Sequence, residues 1–354
     1  NYFEFLNQKG MDVREGKKLI QDFIQHLPEA SMGIEPYPLS LRSIKWIRFL
    51  SCNGINDVDI DAVLYAQLNL LIHKLEYHLL GNHLLENGFA LLFGAYYFND
   101  PVFYKKAKTI LIPELQEQVL GDGGHFERSP MYHCIMLYRV LDCYNLVRNN
   151  ALFGKELEDT LKEKAGGMLG WLEEVVYSDG RIPLLNDAAV GIAPTAKELI
   201  EYGQRLGIFC SKKVRLKESG YRKFRWGKFE LFIDVGEVGP DYQPGHAHAD
   251  TFSFELYING RPVIVDTGTS TYEVNNTRFY ERSTAAHNTV VVFGQNSSQV
   301  WAGHRVARRA RIQVLCDEEK RIVAVHDGYK RLGCLHTRKM EKMEEHIRIV
   351  DEID

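Results

Sequence analysis

Phe224-Arg225-Trp226-Gly227-Lys228-Phe229-Glu230-Leu231-Phe232-Ile233-Asp234-Val235 is the stretch on which the fold turns. Large apolar and polar side chains succeed one another there with a period near two, the pattern of a strand with one buried face. Upstream, apolar residues recur at helical spacing instead. Leu19, Ile20, Phe23, Ile24 and Leu27 form one stripe, and Ile44, Ile47 and Leu50 another before Cys52-Asn53-Gly54, a helix stop. Val63, Leu64, Leu68, Leu71, Ile72, Leu75 and Leu79 mark a longer helix from about Asp57 that ends near Gly81. Phe89, Leu92, Phe93, Tyr96 and Tyr97 follow on a second, and further helices are expected over 102–119, 131–147, 156–176 and 195–206. The links are short and rich in Gly, Asn and Asp, so neighbouring helices run antiparallel. A row of such hairpins suggests an α/α toroid or a bundle.

Downstream of about Ser219 the pattern is β. Thr251–Tyr257, Asn259-Gly260 and Pro262–Val265 form a hairpin signal with the favoured Asn-Gly turn. Strands are also expected at 289–293, 310–315, 321–325 and 346–350. Helices first and antiparallel strands second make an α+β chain, with one domain over 1–215 and the other over 216–354.

The chain has 354 residues, room for two cores, with 45% hydrophobic and 25% charged residues. The net charge of -4 gives no global field for nucleic acid or an anionic membrane. No run approaches the ~18 apolar residues of a spanning helix. The six cysteines form no C-x-x-C pair and lie mostly in apolar runs, as buried thiols do. The chain starts without Met and ends inside an alternating segment, so both ends are read as cut. With 18 Tyr, 18 Phe and 4 Trp, flat rings are available for a carbohydrate cleft as well as for cores.

Four stretches concentrate polar chemistry. Gly81-Asn82-His83-Leu84-Leu85-Glu86-Asn87-Gly88 sets four polar side chains between apolar helices. Asn82 is a natural N-cap there, and His83 and Glu86 lie three apart on one face, so that Glu86 could orient His83. The bland reading is a capped helix start. Gly121-Asp122-Gly123-Gly124-His125-Phe126-Glu127-Arg128-Ser129-Pro130-Met131-Tyr132-His133 is a Gly-rich loop running into a Ser-Pro helix start, with Tyr132 and His133 in the first turn. Its bland reading is a Ser cap and a packed Tyr.

Gly245-His246-Ala247-His248-Ala249-Asp250, with Asp266 and His287 further on, gathers imidazoles and carboxylates. If 246–250 is extended, His246, His248 and Asp250 share a face. Two imidazoles and a carboxylate suit Zn²⁺, although the spacing lacks the tightness of His-Glu-x-x-His; satisfied polar side chains under a loop would look the same. The fourth stretch, Tyr272 to Arg282, carries Arg278, Tyr280 and Arg282. It reads either as a solvated loop or as a subsite for acidic sugars, with Arg for carboxylate or sulfate and Tyr for stacking.

Together these stretches resemble the heparinase II/III family of polysaccharide lyases, from about Asp57 to about Asn296. The resemblance rests on Asn82-His83-x-x-x-Asn87, on Asp122-Gly123-Gly124 through Tyr132-His133, on Pro244-Gly245-His246-Ala247-His248-Ala249-Asp250, and on Arg282-Ser283-Thr284-x-x-His287-Asn288-Thr289. It implies an incomplete N-terminal α/α toroid joined to an antiparallel β-sandwich that should continue past residue 354. It implies β-elimination at C4–O4 of a uronic acid after removal of the C5 proton, on an acidic polysaccharide, in the periplasm or outside the cell, with the cytoplasm as the alternative. Asn82 and His83 take the role of meeting the substrate carboxylate, Tyr132 that of the catalytic tyrosine, and His246 that of the catalytic histidine. Glu86, Asn87, His133, Tyr272, Arg278, Tyr280 and Arg282 are the accompanying substrate-side candidates, and these vary most in the family around Tyr272–Tyr280. His248, Asp266 and His287 take the place of ligands to a mainly structural zinc. Which of Tyr132 and the histidines is acid and which is base stays open here. So do the glycan, endo or exo action and oligomeric state. Two other functions remain. One is a non-catalytic or biosynthetic carbohydrate-binding protein on the same scaffold. The other is a toroid glycoside hydrolase, for which Glu86, Glu127 and Asp187 are the carboxylates available.

Overall fold

The computed structural model describes residues 2–29, 32–210 and 214–354. Eight helices come first: α1 (Val13–His26), α2 (Pro36–Cys52), α3 (Val58–His73), α4 (Gly81–Phe98), α5 (Pro101–Gln118), α6 (Pro130–Asn149), α7 (Glu156–Val175) and α8 (Ala196–Arg205). Ten strands and a short helix follow: β1 (Tyr221–Trp226), β2 (Phe229–Asp234), β3 (Phe254–Ile258), β4 (Arg261–Ile264), α9 (Asn276–Glu281), β5 (Val300–Trp301), β6 (Arg305–Val306), β7 (Ile312–Glu318), β8 (Arg321–His326), β9 (His336–Lys342) and β10 (Ile347–Ile353). The described chain is thus α+β, with helices preceding antiparallel sheets.

By compactness it divides into two units, Asn1–Glu117 with Arg139–Lys162, and Gln118–Tyr138 with Glu163–Asp354. The change from helix to strand falls between α8 and β1, whereas the units exchange chain at the end of α5 and within α6 and α7.

In the first unit α2 packs on α3 and α4 around Trp46, Leu50, Leu64 and Leu92, all fully buried. Asp12 caps α1 by accepting from the Arg14 and Glu15 amides, and Asp57 caps α3 the same way from Asp59 and Ile60. In the second unit, sheets ordered β1-β2-β3-β4 and β10-β9-β8-β7 share one core. Phe229, Leu231, Ile233, Phe252 and Phe254 meet Ile322, Ala324 and Met340 there. The Asn259–Gly260 turn joins β3 to β4 with φ of 52° and 67°, the positive pair that a tight hairpin needs.

Helix α3 ends at His73 and not near Gly81, with Leu75 and Leu79 in the irregular link before α4, and three further expectations change. The Phe224–Val235 stretch is two strands, because the chain reverses at Gly227 (φ 49°) and β1 pairs with β2. Residues 289–293 form no strand, only a bridge between Val292 and Gln295. Residues 246–250 are loop and not strand, so no alternation of faces applies to them.

Candidate active site

The second unit holds a dense polar cluster built on two loops. The first is the Gly-rich loop before α6. Asp122 accepts from the Lys217 and Ser219 amides (both 2.9 Å) and from the Ser219 hydroxyl (2.7 Å). Gly123 sits at φ 86°, and a Cβ there would lie 2.1 Å from the Gly167 carbonyl oxygen, so only glycine fits. Arg128 also has positive φ (58°), with its carbonyl held by the Asn186 amide at 3.1 Å and by the Tyr221 hydroxyl. The Ser129 hydroxyl then accepts from the Tyr132 amide at 3.2 Å, and Pro130 opens α6. Tyr132 is delivered in the first helical turn.

The second loop carries His246. Its ring stacks on Tyr132 with centroids 3.9 Å apart and planes 16° apart. The Tyr132 hydroxyl donates to that of Tyr272 at 3.3 Å, and Tyr272 stacks on His304 at 5.7 Å. His246 Nδ1 meets Glu127 Oε2 at 2.5 Å. Burial pulls the His246 imidazole down, but the Glu127 charge and hydrogen bond, with Asp187 behind them, outweigh it and leave its pKa raised. Tyr132 is pushed up, first by burial, then by Tyr272 and by the charges of Asp187 and Glu127, so it holds its proton. Burial pushes Tyr272 up to about 12.

Asp187 is the hub. The fully buried Arg278 clamps it with both terminal nitrogens, one of them at 2.8 Å, and His248 Nε2 reaches it at 2.8 Å. Its amide donates to the His246 carbonyl at 3.1 Å, and its carbonyl accepts from Ser129 at 2.5 Å. Despite its burial, the imidazole and guanidinium bonds hold its carboxyl well below the usual range. Sequence reasoning named Asp187 only as a carboxylate for the rival hydrolase, gave Asn186 no role and did not single out His304. The one signal was a polar pair set between Leu185 and Ala188.

Several expected substrate contacts are enclosed instead. Arg278 spends its remaining donors on the Gly303 carbonyl and Thr269. Arg282 is 1% exposed and donates to the carbonyls of Ala247, Trp301, Ala302 and Arg305. His133 is fully buried between the His125 amide and the Met168 carbonyl. Tyr280 and Tyr272 are exposed.

In the first unit Asn82 is not the N-cap. Helix α4 begins at Gly81, and consecutive positive φ at Leu80 (59°) and Gly81 (58°) set its entry. Asn82 is 4% exposed, and its Oδ1 has no hydrogen-bond partner among the described residues. His83 pairs with Glu76 (3.1 Å) and lies 4.4 Å from the Tyr37 ring. Glu86 does not orient it, being fully buried against Arg139 at 2.9 Å. Asn87 is likewise internal, bonded to Glu76 and Ser40.

Two groups bear on a metal. Asp187, His246 and His304 each offer a ligand atom, and these lie within 4.8 Å of one another, the one such set among the described residues. A cation there would face the Arg278 guanidinium already clamped on Asp187. Beside them His248 and His287 lie 5.3 Å apart, with His287 Nδ1 on Asp266 at 2.9 Å. His248 Nδ1, His287 Nε2 and Asp250 Oδ2 are buried without a hydrogen bond of ordinary geometry among the described residues, although the Glu281 carbonyl neighbours His287. Unpartnered buried polar atoms are expensive. Two imidazole nitrogens and a carboxylate suit zinc, but His248, Asp266 and His287 are not a set whose ligand atoms lie within 4.8 Å of one another, and both Asp266 oxygens are taken up by His287 Nδ1.

Burial drives His125 down to about 4 and His133 down to about 3. Unfolded, each protonates near ~6.5. A depressed folded value means the stability they contribute is full above that pH and lost as pH falls below it, by up to ~1.4 kcal/mol per pH unit for each group. His246 and His287, both raised, act in the opposite sense. The His133→Gln variant should therefore lose less stability than the native chain when urea unfolding is taken from about pH 7 to about pH 5. Parallel losses would show that His133 is not held neutral.

The heparinase II/III N-terminus family model matches residues 38–214, and the heparinase II/III-like C-terminal model matches 211–354. The chain is 27% identical over 269 residues to a heparin-sulfate lyase of Bacteroides stercoris, covering 64% of this chain and 39% of that protein. It is 26% identical over 252 residues to FtsZ-localized protein C of Caulobacter vibrioides, covering 66% of this chain and 41% of that one. A crystal structure of heparinase III superposes with a TM-score of 0.74 at 19% identity, over 95% of this chain and 58% of the other. The chain thus spans about two-fifths of the length of these curated relatives. With both halves matched in order and the fold shared, the chain belongs to the heparinase II/III family.

Proposed function

We propose that this chain carries the catalytic centre of a polysaccharide lyase that cleaves a uronate-containing glycan by β-elimination. The stacked Tyr132–His246 pair with its hydroxyl partner Tyr272 is the observation that carries the reading. A C5 proton alpha to a carboxylate needs a base, and the departing O4 needs an acid. Tyr132, held protonated by burial and neighbouring charge, is the acid. His246, 18% exposed at its side chain, is the base. As the C5–H bond breaks, its electron pair forms the C4–C5 double bond, and O4 leaves with the Tyr132 proton. Asn82 and His83 offer an amide and an imidazole with the right chemistry for a uronate carboxylate. Glycoside hydrolysis is a poorer account, since Glu86 and Asp187 are each locked to a buried arginine.

The test is a panel of heparan sulfate, hyaluronan, chondroitin and alginate, followed by the ultraviolet absorbance of the unsaturated product. New reducing ends without that absorbance would overturn the reading. A non-catalytic role draws support from the similarity to a protein named for FtsZ localisation, and silence on every polymer would favour it.

We further propose that His248, Asp266 and His287 hold a zinc ion that stabilises the fold. Chelation is then expected to lower the unfolding midpoint by roughly 4–8 °C, the effect of about 2 kcal/mol on a domain of this size. Purified protein free of zinc by mass spectrometry, with a midpoint indifferent to chelator, would end this proposal.

A further inference from the structure

We propose that Glu127 is the positioning residue for His246, fixing which ring nitrogen is presented to substrate. This rests on the lyase reading above. Glu127 is 2% exposed, and its Oε2 lies 2.5 Å from His246 Nδ1. A carboxylate in contact with a ring nitrogen makes that nitrogen the one carrying hydrogen. Nδ1 therefore bears the proton in the neutral ring, and Nε2 keeps its lone pair for the C5 proton.

The geometry is built and not incidental. Glu127 precedes Arg128, whose left-handed backbone (φ 58°) is unusual for a non-glycine residue. That conformation is pinned at the Arg128 carbonyl by Tyr221 and Asn186, and at its guanidinium by the Gly239 and Glu237 carbonyls. Strain of this kind is kept where the surroundings over-determine it, commonly at a functional site. From the other side, the Asp187 amide holds the His246 carbonyl at 3.1 Å and Tyr132 covers the ring face. Backbone, ring face and Nδ1 are all fixed, so the imidazole has one orientation. When Nε2 takes the C5 proton, the adjacent carboxylate also stabilises the imidazolium that forms, the division of labour between an orienting acid and a histidine base.

Two variants and one spectrum test this. Glu127→Leu removes the acceptor, and Glu127→Gln keeps a carbonyl oxygen that can still accept from Nδ1. On the polymer that the native protein opens, Glu127→Leu should lower kcat by about 10²-fold, the lower end of what a positioned acid or base contributes, with KM little changed. Glu127→Gln should restore most of that loss. Nitrogen NMR of the native protein at alkaline pH, with the His246 signals assigned by their absence in His246→Gln, should show hydrogen on Nδ1. A native ring with hydrogen on Nε2 overturns the proposal whether or not either Glu127 variant folds. So does equal turnover of the Leu and Gln variants. If no polymer is opened, the lyase reading fails, while the spectrum still decides which nitrogen Glu127 holds.

Discussion

Tyr132→Phe is expected to lower kcat on the responsive glycan by about 10²–10⁴-fold, the worth of a positioned general acid, while the fold survives. The reason lies in what the substitution leaves behind. The ring keeps its stacking on His246, and the Ser129 hydroxyl still accepts from the residue 132 amide, so α6 starts as before. Only the hydroxyl is lost, together with its bond to Tyr272, a partly exposed contact of about 1 kcal/mol. Without it O4 must depart unprotonated. Measuring kcat and KM beside an unfolding midpoint separates chemistry from damage. A variant turning over within a few-fold of the native rate would remove Tyr132 from the acid role, and Tyr272, whose hydroxyl is the neighbour, would be the group to examine next.

Much of this arrangement was legible in the chain, for local reasons. Helical stripes and caps depend on near neighbours, so α3 with its Asp57 cap and the Asn259–Gly260 hairpin could be read directly. The turn at Gly227 was hidden because strands on either side of it alternate alike. Strand β9 was hidden because its inward residues are His336, Arg338 and Met340, and the first two are polar groups satisfied by Asp351 on the neighbouring β10. Phe293 belongs to a β-prone run but lies at φ 48° and 82% exposed, with no ladder to join. At the site, residue types announced the Tyr132 and His246 loops. Spacing gave no means of knowing that Arg278 and Arg282 spend their charge inside the fold, since their partners are brought in by tertiary structure.

That enclosure makes Asp187 the position where one carboxylate matters most to stability. Asp187→Ala is expected to cost about 3–5 kcal/mol, the penalty for stranding one partner of a buried ion pair. Arg278 and Asp187 are both fully buried, and the remaining acceptors of the guanidinium, Gly303 and Thr269, are neutral. The same change removes the partner of His248 Nε2. Because the loss comes from an uncompensated charge and not from the pair's own worth, Asp187→Leu combined with Arg278→Met should be more stable than Asp187→Ala alone. Denaturant unfolding of the three proteins decides it. If Asp187→Ala unfolds within about 1 kcal/mol of the native chain, or the double variant is the less stable, Arg278 must reach solvent or another anion once Asp187 is gone. The hub would then owe its position to the Ser129 and His246 backbone bonds and not to the ion pair.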